Sequence, residues 1–104
     1  MRLRDDEIRI IREEVRRTFG SDATVRLFGS RVDDTRRGGD IDLYIESPGD
    51  ERVFRTQERR LRHALLTRLG DQRIDLVTAP PGGKGRPIDD VARRDGVTLE
   101  GADA

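Results

Sequence analysis

The sequence predicts an α/β protein of the α+β kind, a small mixed sheet of three to four strands with helices packed on one face. Apolar residues recur every three or four positions in some segments and every second position in others, and glycine or proline separates these segments. The chain has 104 residues, of which 33% are apolar, so it has room for one core. We therefore expect a single domain over residues 1–99 and a frayed tail over 100–104.

The first predicted element is an amphipathic helix, whose apolar stripe consists of Ile8, Ile11, Val15 and Phe19. Asp5 or Asp6 can cap the start of this helix, and Gly20 ends the pattern. Residues 24–28 then alternate and are rich in β-formers, which predicts a strand that stops at Gly29.

A second strand is predicted over residues 40–46, which alternate strictly after a polar loop over 31–39. Residues 47–50 break this strand, and a long second helix closed by Gly70 follows. The predicted apolar stripe of the second helix is Val53, Gln57, Leu61, Ala64, Leu65 and Leu69.

A third strand is predicted over residues 73–78, and a breaker-rich loop over 79–87 follows it. A short helix and a brief C-terminal segment carry the last apolar positions, which are Ile88, Val91, Ala92, Val97 and Leu99. The predicted element order is therefore α-β-β-α-β-α.

Composition narrows the possible function classes. The 21 basic and 21 acidic side chains cancel, and no aromatic residues interleave the basic segments, so we expect no direct nucleic-acid binding. There are no cysteines, which excludes disulfides and thiolate metal sites and favours a hard cation with oxygen ligands. No apolar run has the length of a signal peptide or a membrane span, so we expect a cytoplasmic protein that does not engage a membrane.

Two aspartates lie two positions apart on the second predicted strand. Side chains two apart in a strand project from the same face, so Asp40 and Asp42 point together while Ile41 and Leu43 face the core. At about 3.3 Å of rise per residue, the two α-carbons lie roughly 6 to 7 Å apart. Both carboxylates then reach one metal ion, or a pair of ions about 3.5 to 4 Å apart as in two-metal phosphoryl-transfer sites.

A third aspartate, Asp75, occurs in the third predicted strand in the same way. If that strand lies beside the second one, three carboxylates meet and repel each other unless a divalent cation such as magnesium neutralises them. The alternative is that all three aspartates form the solvated face of half-exposed strands. Aspartate is a poor strand former, however, and its use at three positions of otherwise good strands favours the metal site.

The pair Gly29-Ser30 follows the first predicted strand. A glycine lets the backbone approach a phosphate closely, and a serine adds a hydroxyl donor beside its own amide. The pair alone indicates no more than a turn. Its place before a nine-residue loop, the Asp-x-Asp strand, a helix and a further Asp-bearing strand predicts a site for a metal-complexed nucleoside triphosphate.

Residues 27–31 (LFGSR) and 39–43 (GDIDL) together resemble the Gly-Ser-x-Asp-x-Asp signature of the polymerase-beta nucleotidyltransferase superfamily. The resemblance is strongest to its minimal nucleotidyltransferase (MNT) domains and covers nearly the whole chain. It implies the polymerase-beta-like nucleotidyltransferase fold, ATP as substrate and two Mg²⁺ ions. The implied nucleotide-binding residues are Gly29, Ser30 and Arg31, and the implied catalytic and metal-binding residues are Asp40, Asp42 and Asp75.

Minimal proteins of this kind are similar to the antitoxins of HEPN/MNT toxin-antitoxin systems. The resemblance implies transfer of AMP from ATP to a tyrosine of a partner HEPN-type ribonuclease toxin, with a homo- or hetero-oligomer completing the acceptor site. Two alternatives stay open. One is a non-catalytic module that neutralises its partner by contact, and the other is nucleotidyl transfer to a small hydroxylated molecule.

Other motifs carry less weight. The segment 82–85 (GGKG) lacks the spacing of a Walker A loop and the Ser or Thr after its lysine. His63 has no second ligand at a suitable spacing, so we expect it at the surface or its boundary. The remaining charged loop residues are interpreted as solvated, and they are Asp33, Asp34, Arg36 and Arg37.

Overall fold

A computed structural model describes residues 3–29, 41–70 and 72–99 of the chain. These ranges contain three helices, which are α1 (Asp5–Phe19), α2 (Glu51–Leu69) and α3 (Pro87–Asp95). They also contain four strands, which are β1 (Thr24–Phe28), β2 (Ile41–Glu46), β3 (Ile74–Ala79) and β4 (Val97–Thr98). The predicted element order is confirmed. None of the helices in the described ranges is long and apolar enough to cross a membrane.

The strands form one mixed sheet in the order β3-β2-β1-β4. Strand β1 pairs antiparallel with both β2 and β4, whereas β2 and β3 are parallel. A parallel pair needs a crossover connection, and the long helix α2 supplies it. The prediction of a mixed sheet of three to four strands is therefore confirmed.

Different helices cover the two faces of the sheet. Helices α1 and α2 pack with one face, where the core includes Ile11, Leu43 and Leu61. The short helix α3 packs on the opposite face, where Ala92 joins a smaller core around Tyr44. The prediction that helices cover one face thus holds for the two long helices only. The reason is that β2 has apolar residues on both faces, and the buried Tyr44 gives α3 a surface to cover.

The start of α1 differs from the prediction. The residue that caps the helix is Arg4, and its backbone N–H donates to Glu7 Oε1 at 2.9 Å. Asp5 and Asp6 lie inside the first turn instead. There their negative charges interact favourably with the helix dipole, while Glu7 satisfies the free backbone donor.

The buried stripe of α2 is also shifted relative to the prediction. Val53 is 47% exposed, and its neighbour Phe54 is 2% exposed. Phe54 lies seven and eleven positions before Leu61 and Leu65, so all three side chains share one face of the helix. The prediction for Val53 was wrong because a one-residue offset rotates a helical position by about 100°.

Candidate active site

The parallel pairing of β2 and β3 brings two of the predicted carboxylates side by side. Asp42 and Asp75 are register partners, and their neighbours Ile41 and Ile74 pair in the same way on the core face. Because side chains alternate along a strand, both carboxylates project from the face that α3 covers. The predicted proximity of the second and third strands is thus confirmed, and neighbouring strands lie about 4.8 Å apart.

Gly29 closes the site from the side of β1. It follows Phe28, the last residue of β1 and the register partner of Asp42. Its backbone has φ 78°, and a Cβ added to it would clash with Asp42 Oδ2. A side chain there would displace the Asp42 carboxylate, so the backbone at Gly29 and this carboxylate form one compact site where β1 ends and β2 and β3 begin.

The described part of this site fits a hard divalent cation. Asp42 is half-buried, Asp75 is exposed, and carboxylate oxygens are the ligands that magnesium prefers. Among the described residues, no three His, Cys, Asp or Glu side chains cluster into a metal site. The predicted third ligand, Asp40, immediately precedes β2 in sequence and lies outside those residues.

Three predicted site residues lie outside the described ranges, namely Ser30, Arg31 and Asp40. The solvated loop residues of the same segment, Asp33, Asp34, Arg36 and Arg37, lie outside them as well. The roles assigned to all of these residues stay predictions. In the sequence, Ser30 follows Gly29 and Asp40 precedes Ile41.

Comparison with known protein families identifies the fold. The family model of the nucleotidyltransferase domain matches residues 8–95, which span the first helix to the end of α3. The chain belongs to the nucleotidyltransferase domain family. It is therefore a transferase of nucleotidyl groups, and domains of this family use a nucleoside triphosphate and a divalent metal. A search of curated proteins finds no significant match.

A buried aspartate in this nucleotidyltransferase domain was missed by the sequence reasoning. Asp89 is 2% exposed and accepts hydrogen bonds from Tyr44 Oη at 2.9 Å and Arg86 Nη2 at 2.8 Å. The hydrogen-bonded Arg86 guanidinium holds the pKa of Asp89 well below its ordinary value. The only signal in the sequence is an acidic first turn after Pro87, which is typical of any helix start.

Tyr44 connects this buried network to the candidate active site. It lies two positions after Asp42 on the same face of β2 and is fully buried. Burial and the hydrogen bond to Asp89 raise the pKa of Tyr44 to about 12. The network therefore fixes α3 and its preceding loop against the strand that carries Asp42.

The glycine-rich loop before α3 binds carboxylates of its own chain. The amide of Gly82 donates to Glu46 Oε2 at 2.8 Å, and that of Lys84 donates to Asp89 Oδ2 at 3.0 Å. These are the groups that would have to face a phosphate in a phosphate-binding loop. The loop is thus a structural element of the nucleotidyltransferase domain. His63 is exposed on α2, as predicted.

Proposed function

We propose that the protein is a magnesium-dependent nucleotidyltransferase that transfers AMP from ATP to a hydroxyl group, specifically a tyrosine of a partner HEPN-type ribonuclease toxin, and so acts as an antitoxin. The observation that carries the transfer reaction is the alignment of Asp42 with Asp75 beside the close backbone approach of Gly29. The choice of ATP, tyrosine and toxin rests on the resemblance to the antitoxins of HEPN/MNT systems.

In this proposal the chain positions the reactants and handles one proton. The turn at Gly29, with Ser30 and Arg31, holds the triphosphate, and the carboxylates of Asp40, Asp42 and Asp75 hold magnesium. Magnesium bound by these carboxylates would neutralise part of the negative charge on the phosphates. The acceptor oxygen attacks the α-phosphorus as the bond to pyrophosphate breaks, and Asp75 accepts the proton that the hydroxyl loses.

The test is transfer of labelled AMP to a HEPN-type toxin, with magnesium and ATP present. Mass analysis of that protein should show the gain of one AMP or more on a tyrosine. Asp42→Asn should slow transfer at least about 100-fold. A metal ion that is bound incorrectly stabilises the transition state less, and the difference amounts to several kcal/mol.

The matched control is Asp90→Asn, because Asp90 is an exposed aspartate in the first turn of α3. This variant should transfer AMP at the rate of the unmodified protein. Equal activity of Asp42→Asn and the parent would contradict the metal site. Inhibition of the toxin without transfer of any nucleotide would support the non-catalytic alternative, and transfer only to small hydroxylated molecules would support the other one.

A further inference from the structure

Helix α2 carries a positive charge within a chain that is neutral overall. Its 19 residues include six arginines and two glutamates, whereas the whole chain has 21 basic and 21 acidic side chains. Four arginines recur at three- or four-residue steps and therefore lie along one flank of the helix. This arginine flank consists of Arg52, Arg55, Arg59 and Arg62.

The arginine flank runs beside β3. Near the end of the flank, Arg62 Nε donates to the carbonyl of Ile74 at 3.4 Å, one residue before Asp75. Closer to its start, Arg55 borders a cleft of about 340 Å³ that is also lined by Leu76 and Thr78. The flank thus follows β3 from this cleft toward the candidate active site.

Strand β3 is the outermost strand of the sheet on this side. The carbonyls of Arg73 and Ala79 accept hydrogen bonds from the β2 side at 2.9 and 3.0 Å. Backbone groups alternate in direction along a strand, so those of Ile74, Leu76 and Thr78 face the outer edge. The carbonyls of Ile74 and Thr78 accept hydrogen bonds from the side chains of Arg62 and Arg86 at 3.4 and 3.0 Å. Arginine side chains of the protein itself thus occupy part of this edge, so it does not offer a continuous row of backbone groups for an added strand.

The two glutamates of α2 offset only part of the positive charge of the flank, since four arginines face two carboxylates and Glu51 also interacts with Arg55. Glu51 pairs with Lys84, and Glu58 accepts a hydrogen bond from Thr78 Oγ1 at 2.6 Å. Three arginines of the flank form no ion pair with any residue that the structure describes, and they are Arg52, Arg55 and Arg59. Their mutual repulsion would be relieved by an anionic partner.

We infer that the arginine flank of α2, which runs beside β3, docks an acidic segment of the protein that carries the acceptor hydroxyl. The inference rests on the proposed function, because the docked segment leads to Asp75, where the hydroxyl is activated. A protein segment fits better than RNA. Phe54, the only Phe, Tyr or Trp residue of α2, is buried, so the flank offers no such ring for stacking bases.

The test uses a fluorescently labelled random copolymer of glutamate and tyrosine, whose binding is followed by anisotropy without ATP or magnesium. The unmodified protein should bind it, and binding should weaken as salt rises from about 50 to about 500 mM. The double variant Arg55→Glu, Arg59→Glu should bind about tenfold more weakly, because two attractions become repulsions.

The matched control is Arg16→Glu, Arg60→Glu, which has the same net charge. Arg16 is exposed on α1, and Arg60 lies one turn from Gln57, whose side chain donates to the carbonyl of Thr18 in α1 at 3.3 Å. The control should bind the copolymer as the parent does, and thermal melting should show that both double variants fold.

Three outcomes would overturn the inference. They are no binding by the unmodified protein, equal weakening in both double variants, and tighter binding of labelled oligouridylate with the same dependence on Arg55 and Arg59. Asp42→Asn should keep full copolymer binding, which separates docking from catalysis. Docking without any AMP transfer would remove the proposed function alone, whereas transfer without docking on the flank would remove the inference alone.

Discussion

At the scale of single residues, Gly29 constrains the candidate active site most tightly. The sequence predicted a close backbone approach at this glycine, but the group predicted to come close was a phosphate. The structure adds that the Asp42 carboxylate itself occupies the space where a side chain would lie. Gly29 therefore combines a positive φ with a position where a Cβ would displace the Asp42 carboxylate.

Gly29→Ala should slow nucleotidyl transfer about 100-fold, because displacement of a catalytic group by about 1 Å has an effect of that size. It should also lower the free energy of unfolding by about 1 to 2 kcal/mol through its positive φ. Transfer assays and chemical denaturation measure the two effects.

Gly85→Ala separates the effect on activity from the effect on stability, since Gly85 has φ 79° and a Cβ there would meet nothing within 4 Å. This control should lose similar stability and keep its activity. A fully active Gly29→Ala variant would contradict the contact with Asp42.

Titration of Tyr44 reports on the buried hydrogen-bond network around Asp89, because Tyr44 is the only tyrosine of the chain. Its pKa is raised from 10.0 to about 12 by burial and by the hydrogen bond to Asp89. The raised pKa contributes stability that is complete below pH 10 and is lost as the pH rises through about 12. Ultraviolet titration of tyrosinate should give about 12 in the folded protein and about 10 in denaturant. A folded-state value near 10 would contradict the buried hydrogen bond.

At the scale of elements, alternation and helical periodicity predicted the helices and strands well, with β1 matching its predicted bounds. Alternation and helical periodicity are properties of a single segment, so they can be recognised without the residues that pack against it. The sequence did not predict the face of the sheet on which α3 packs, nor the burial of Phe54 in place of Val53. Both depend on residues that are distant in sequence. The Asp89 network was missed for the same reason, since its members Tyr44 and Arg86 belong to separate elements.

Helix α2 depends on a cap that can be tested. The side chain of Asp50 accepts a hydrogen bond from the backbone N–H of Val53 at 3.1 Å. Asp50→Ala should therefore lower the free energy of unfolding by about 1 kcal/mol and the Tm by about 5 °C. Asp22→Ala, at an exposed aspartate in the turn before β1, should leave thermal denaturation unchanged. An equal loss in both variants would show that the cap has no specific role.

At the scale of the whole molecule, the sheet order sets the place of the candidate active site. Strand β2 lies between β1 and β3, so the turn at Gly29 and the two aspartates meet at one end of the sheet. The sequence predicted this constellation through the resemblance of its motifs and the position of Asp75. The position of β3 at the outer edge of the sheet could not be predicted, because edge position is a property of the complete sheet.

The parallel register of β2 and β3 also determines when Asp42 and Asp75 can become neighbours during synthesis. Asp42 and Asp75 become neighbours only after α2 has formed and returned the chain to the starting end of β2. A ribosome-bound chain that ends before β3 lacks this pairing, however well its first two strands have formed. Because such a chain lacks Asp75, we expect it to transfer no AMP.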